Sequence, residues 1–195
     1  MSDRFKNKYR IKSARLQNWD YGWNAAYFLT ICTKDRGHFF GEIQNGKMQV
    51  SPAGAIAYVL WEEIKIHAKN VELGEFVVMP NHVHGILILD RNEMNTTPNV
   101  GTTHALSLQQ PSKQPPKPPQ TIGQQRFQNQ GKNTVSSIIG SYKSAVTKYC
   151  NRLGLPFAWQ SRFHDHIIRD EKSFQRISEY IINNPLNWPD DQFFK

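Results

Sequence analysis

Sulfur is scarce in this chain, and a membrane-length apolar run is missing altogether. Among 195 residues there are two cysteines, Cys32 and Cys150, with no metal-type spacing. Nothing about them requires an oxidising compartment. No apolar run approaches the roughly 20 residues that cross a bilayer. The opening MSDRFKNKYRIK is charged and lacks the apolar core of a signal peptide. A glycine-rich phosphate loop is also missing, so no nucleotide cofactor is expected. Acid is in short supply: 16 Asp and Glu stand against 24 Lys and Arg, for a formal net charge of +8. These absences argue against membrane insertion and against a disulfide-stapled secreted domain. What they leave is a soluble, cytoplasmic chain of one domain, spanning residues 1–195.

The basic balance points to a polyanionic partner, nucleic acid first. Aromatics at 12% add the means for base stacking beside phosphate contacts. Residues 1–24 scatter Arg4, Lys6, Lys8, Arg10, Lys12 and Arg15 among polar residues. That segment reads as an arm lying on phosphates or as a frayed, solvated terminus.

Periodicity places the elements. Ala26 to Thr33 is a β-rich apolar run and a candidate central strand. HFFGEI and KMQV flank Asn45-Gly46, a strong short hairpin signal, and form a more exposed strand pair. Ser51-Pro52 opens a helix to about Lys69, with Ile56, Val59, Leu60 and Ile64 on one face. Residues 92–132 change character: Pro98, Pro111, Pro115, Pro116, Pro118 and Pro119 sit among Gln, Asn, Thr and Ser. With almost nothing to bury, this stretch reads as a disordered insertion within the domain. Order resumes at Thr134 with a helix whose stripe is Val135, Ile138, Ile139, Tyr142, Val146 and Tyr149. Gly154 suits its end. Lys143, Lys148 and Arg152 lie off that stripe. Phe157 to Arg169 reads as a strand. Asp170 then opens a last helix, stopped by Pro185, with Phe174, Ile177 and Ile181 as its buried stripe.

The chemistry concentrates in EFVVMPNHVHGILILD, residues 75–90. Two apolar runs flank Pro80-Asn81, so the stretch is a hairpin. His82 and His84 are two apart on its second strand, and their imidazoles share a face. Val83 points the other way. Such a triplet is a compact two-nitrogen metal platform, and it is equally a pair of hydrogen-bonded or solvated histidines. A second such pair, His164 and His166, lies on the later strand. Tyr180 and Asn184, four apart on the last helix, stack along one edge of its stripe.

Taken together, MPNHVHG, FHDHIIRD and EYIINNP, in that order, resemble the single-tyrosine HUH transposases. The REP-associated tyrosine transposases and their insertion-sequence relatives are the nearest in pattern. The likeness also takes in SARLQNWDYGWNAAYFLTICTKDRGHFFGEI and GSYKSAVTKY, nearly the whole chain outside the proline-rich insertion. It implies an α+β, ferredoxin-like βαββαβ antiparallel sheet with helices on one face and an appended C-terminal helix carrying the tyrosine. It also implies His82, His84 and Asn184 as ligands of Mg²⁺ or Mn²⁺, and Tyr180 as the nucleophile. The substrate implied is single-stranded or hairpin DNA, cut and rejoined through a 5′-phosphotyrosine. Arg10, Lys143, Lys148, Arg152 and Arg162 are the candidate DNA contacts, and a monomer is favoured over a dimer. Two other readings compete. One is a catalytically idle hairpin DNA or RNA binder on the same fold. The other is a water-using hydrolase in which His164 and His166 join the first pair at a zinc site.

Overall fold

The structure, a computed structural model, describes residues 22–90, 134–191, 193 and 194. Arg10 with the rest of the N-terminal arm, and the proline-rich 92–132 segment, lie outside the described residues.

The central strand is β1, Ala25–Cys32. Its apolar residues alternate sides: Tyr27, Leu29 and Ile31 are fully buried on one face. Ala26 and Phe28 belong to a second cluster on the other. β1 therefore sits between two layers. The excursion that follows is a separate two-stranded ribbon, β2 (Gly41–Gln44) and β3 (Lys47–Val50). It turns through Asn45 and Gly46, both at positive φ (50° and 70°), as a two-residue hairpin of this sequence requires. Ser51 caps the helix α1, Pro52–Glu62, its hydroxyl accepting from Gly54 N at 3.1 Å. A short turn of helix, α2 (Ile64–His67), continues it.

The buried face of α1 is shifted from the expected one, although Ile56 and Leu60 still pack, partly buried, against the core. Ala53, Ala57, Trp61 and Ile64 are buried, whereas Val59 is 54% exposed. A Val–Leu–Ile stripe looks richer, but the helix must lie close to the sheet. The small residues Ala53 and Ala57 allow that approach, and Trp61 fills the space beyond them.

The hairpin β4 (Val71–Met79) and β5 (His82–Leu89) forms as the sequence predicts, with Met79 opposite His82 across the Pro80-Asn81 turn. After the 92–132 segment comes α3, Val135–Arg152, capped by Thr134 in a reciprocal box with Ser137. Its buried stripe ends in Cys150 rather than Tyr149, which is 45% exposed. Cys150 lies four residues past Val146 and so stays on the core-facing line. β6 is shorter than expected, His164–Ile168. Residues 157–163 carry Gln160, Ser161 and Arg162 and meet the end of β1 through a bridge from Trp159 to Thr33 and a bond of 2.9 Å from Gln160 N to the Cys32 carbonyl. Asp170 then caps α4, Glu171–Asn183, accepting at 2.8 Å from Ser173 N.

The sheet order is β4-β5-β1-β6 with every pairing antiparallel. Setting the β2–β3 ribbon aside, the element order is βαββαβ. This is the ferredoxin-like α+β arrangement that the motifs imply. The helices α1 and α3 cover the face lined by Tyr27, Leu29, Val83 and Leu87. The last helix, α4, covers the opposite face through Ile177 and Ile181, against Ile86 and Ile168. Burial of each such side chain contributes about 1.5–3 kcal/mol, enough to dock an otherwise polar helix. No helix among the described residues is long and apolar enough to cross a membrane.

Gly85 explains how the histidine strand sits so close to α1. A Cβ at this position would collide with the Trp61 indole, which lies directly over β5. Trp61 is held there by Phe76, stacked at 5.8 Å, and by Tyr142, edge-on at 5.4 Å. Gly85→Ala is expected to destabilise the protein by about 1–3 kcal/mol through overpacking, read as a lower urea midpoint at unchanged slope. An unaltered midpoint would mean that the indole is not fixed against this strand.

Candidate metal and tyrosine site

His82 and His84 begin β5 and face the α4 side, while Val83 enters the opposite core at 0% exposure. Both imidazoles are buried, at 0% and 1%, with ring centroids 4.4 Å apart. Each is held from behind. Asn81 donates from Nδ2 to the Phe193 carbonyl at 2.8 Å, so its Oδ1 is the atom facing His82 Nδ1, also at 2.8 Å. An amide oxygen can only accept, which puts the proton of His82 on Nδ1 and leaves Nε2 a bare lone pair. His84 Nδ1 lies 2.9 Å from Thr30 Oγ1 and also meets the Leu29 carbonyl. The Thr30 hydroxyl can donate or accept, so this contact orients the ring without by itself fixing which nitrogen carries the proton. This is how proteins orient histidine ligands.

The front of the site is rich in acceptors and poor in protons. His82 Nε2 and Asn184 Oδ1 are buried without a hydrogen-bond partner. Tyr180 Oη lies 3.3 Å from His84 Nε2 and 3.2 Å from Asp191 Oδ2. One phenolic proton cannot serve both. Asn184 Nδ2 donates to the same Asp191 oxygen at 2.9 Å. His82, His84 and Asp191 each offer a ligand atom, and these atoms lie within 4.8 Å of one another. Two neutral imidazoles, a carboxylate and an amide oxygen converging with too few protons make a set suited to a divalent cation. Mg²⁺ prefers oxygen ligands, so the nitrogen pair suits Mn²⁺ at least as well.

Electrostatics agree with neutral imidazoles. Burial, then the neighbouring His84 and Arg36, hold His82 well below the usual histidine range. Burial lowers His84 to about 4, against the opposing pull of Asp191. Tyr180 is pushed up to about 12, first by burial and then by the Asp191 charge. Its ring remains 39% exposed and stands edge-on to Phe28 at 6.1 Å.

The structure brings together four of the sequence candidates, His82, His84, Tyr180 and Asn184, and adds Asp191. Asn184 ends α4, and Asp191 follows a short 3₁₀ turn, Trp188–Asp190. No spacing rule links them; the only trace in the sequence is an acidic pair, Asp190-Asp191. The basic candidates lie elsewhere. Lys148 and Arg152 are exposed on α3, on the other side of the sheet, and with Lys143 and Trp159 they line an open basin of about 600 Å³. Lys143 is partly committed already: its ammonium donates to the Gln160 carbonyl at 2.6 Å and lies 5.7 Å from the Trp159 ring centroid. Arg162 is exposed just before β6. His164 and His166 are exposed on β6 and do not join the metal-compatible group.

The burial of His84 has a consequence for the metal-free protein. Its folded value of about 4 lies below the roughly 6.5 of an unfolded histidine. As pH falls below that unfolded value, the unfolded chain takes up a proton that the folded chain refuses. The resulting loss of stability grows to about 3 kcal/mol near pH 4. Urea unfolding in EDTA across this window measures it. Constant stability across the same window would place the imidazole in water.

No protein-family model matches the chain. An uncharacterized protein of Haemophilus influenzae is 34% identical over 184 residues, 94% of this chain and 92% of that one. Among solved structures, a REP-associated tyrosine transposase bound to a REP hairpin superposes with a TM-score of 0.53 at 19% identity. The match covers 89% of this chain and 74% of the other. At that identity the likeness establishes the fold. The chain thus belongs to one family with the Haemophilus protein, a family with the tyrosine-transposase fold.

Proposed function

We propose that this protein cuts and rejoins a single strand of DNA through a covalent bond between Tyr180 and a 5′-phosphate. The observation that carries the reading is the Tyr180 hydroxyl, 3.3 Å from His84 Nε2 and beside the unpartnered, buried His82 Nε2 and Asn184 Oδ1. A divalent cation bound at His82 and His84, with Asp191 or Asn184 as a further ligand, supplies charge neutralisation for the attacked phosphate.

The chain's own groups do the rest. Asp191 Oδ2 takes the hydroxyl hydrogen bond and aims the phenol oxygen at the cluster. Phe28 holds the ring edge-on, which fixes the direction of approach. The Tyr180 oxygen forms a bond to phosphorus as its proton passes to Asp191, the bond from phosphorus to the 3′-oxygen breaks, and that oxygen takes up the proton and leaves as a hydroxyl. A free 3′-hydroxyl attacking the phosphotyrosine reverses the step, so rejoining needs no nucleotide. Lys148, Arg152 and Arg162 are exposed cations that would meet the phosphates of a flanking duplex. The REP hairpin held by the structural relative fits a folded-back DNA of this kind, and the chain acts as a monomer.

A binder without chemistry would have no use for a tyrosine hydroxyl against one buried imidazole and an unpartnered nitrogen on the next. Tyr180→Phe is expected to abolish nicking and the covalent protein–DNA adduct while leaving hairpin affinity within about threefold, since binding rests on basic and stacking contacts. Denaturing electrophoresis of labelled DNA with Mn²⁺ present reads both. An adduct persisting in the Phe variant would place the nucleophile elsewhere. Nicking without any adduct in the unaltered protein would instead assign the reaction to water.

A further inference from the structure

The face that carries His82 and His84 is only half covered. Its register across the sheet is explicit: Thr30 pairs with His84 on one side and His164 on the other, and Phe28 pairs with Ile86 and His166. The five residues His84, Thr30, His164 and, one step along, Phe28 and His166 therefore form one continuous floor. His164 sits two strand spacings, about 10 Å, from His84. The α4 helix packs chiefly over β4 and β5. On β6 burial falls from Ile168, 8% exposed under α4, to an exposed His166 and an exposed His164.

Among the described residues aromatic side chains cover the His82 end of the site. Phe193 lies 4.6 Å from the His82 ring and Trp188 6.0 Å from it, both largely buried. The guanidinium of Arg36 closes over Phe193 at 5.1 Å. On the β4 side stands α4 itself. On the β6 side His164 and His166 are exposed among the described residues, and that side leads somewhere. The segment that enters β6 runs through Gln160 and Arg162, whose carbonyls Lys143 contacts from the basic basin on α3 at 2.6 and 3.5 Å. Edge strands are commonly blunted by lysine or proline, whereas this one presents two imidazoles beside a half-buried phenylalanine.

We propose that Phe28, His164 and His166 form the track along which an unpaired segment of DNA passes from the basic basin, over the β6 edge, to the Tyr180 hydroxyl. The assignment rests on the strand-cleaving function proposed above. Stacking on Phe28 and the imidazoles suits bases of any sequence, and each imidazole N–H donates to a phosphate oxygen. The track continues the polar floor of the metal site without contributing to it. That gives the second histidine pair a role separate from the first.

Fluorescence anisotropy with full-length protein and labelled oligothymidine tests this, with a blunt-ended hairpin as the second probe. His164→Ala/His166→Ala is expected to weaken oligothymidine binding about tenfold. Affinity for the blunt hairpin and the calorimetric affinity for Mn²⁺ should stay within about twofold, the precision wanted of the comparison. His164→Arg/His166→Arg should tighten oligothymidine binding and steepen its salt dependence by about 0.7 per added phosphate contact. An alanine pair that keeps its thermal transition and binds oligothymidine normally overturns the track and leaves the cleavage reading intact. Equal losses on both probes overturn it too, as a general charge effect. If the alanine pair fails to fold, an unchanged salt slope in the arginine pair overturns it. Unaltered protein that binds neither probe removes the cleavage reading and the track together.

Discussion

Asn81 uses both ends of one amide, and the site depends on that bridge. Its nitrogen is committed to the Phe193 carbonyl and its oxygen to His82 Nδ1, both at 2.8 Å. The first contact fixes which way the amide points, and the second fixes the histidine tautomer. A lone pair on His82 Nε2 is thereby presented inside the protein with no group donating to it. Burying an acceptor in this way costs free energy. A folded chain tolerates such a group where a ligand completes it. Asn81 also ties the turn of the histidine hairpin to the segment that carries Asp191, so the strand and the tail meet in one place.

The sheet separates two tasks. On the α1 and α3 side it is an apolar core, with Trp61 pressed onto Gly85 to hold β5 in position. On the α4 side the same strand offers its histidines to a helix whose edge brings Tyr180 and Asn184. Because side chains alternate across a strand, β5 can be locked by Val83 and Leu87 while His82 and His84 remain free for chemistry. The basic basin on α3 lies on the locked side. A DNA that uses both the basin and the tyrosine would therefore cross an edge of the sheet, and among the described residues β6 carries exposed side chains on the tyrosine face.

Much of this was legible in the residues. The His82–His84 strand, the Asn45-Gly46 turn and the caps at Ser51, Thr134 and Asp170 are local patterns whose physics does not depend on the rest of the fold. The order of strands was reached through family motifs; periodicity alone does not give it. The misjudged positions share a cause. Val59 and Tyr149 are apolar residues at helical spacing that face water, because close packing of α1 and α3 on the sheet favoured Ala57 and Cys150. Choosing between neighbouring apolar faces depends on interhelix distance, which a single sequence does not contain. Asp191 was invisible for another reason. It reaches the histidines through the path of the tail after Pro185, a contact with no periodic signature.

The central claim is that His82 and His84 are paired to hold a cation, with Asp191 beside them. Calorimetric titration of Mn²⁺ into the unaltered protein tests it most directly, alongside His82→Ala, His84→Ala, Asp191→Asn and His164→Ala. One site is expected in the unaltered protein and in His164→Ala, and none in either variant of the first pair. For Asp191→Asn the affinity should fall about 10–100-fold. Mn²⁺ binding that survives loss of His82, or that disappears with His164, would contradict the account and call for a four-histidine centre or no metal at all.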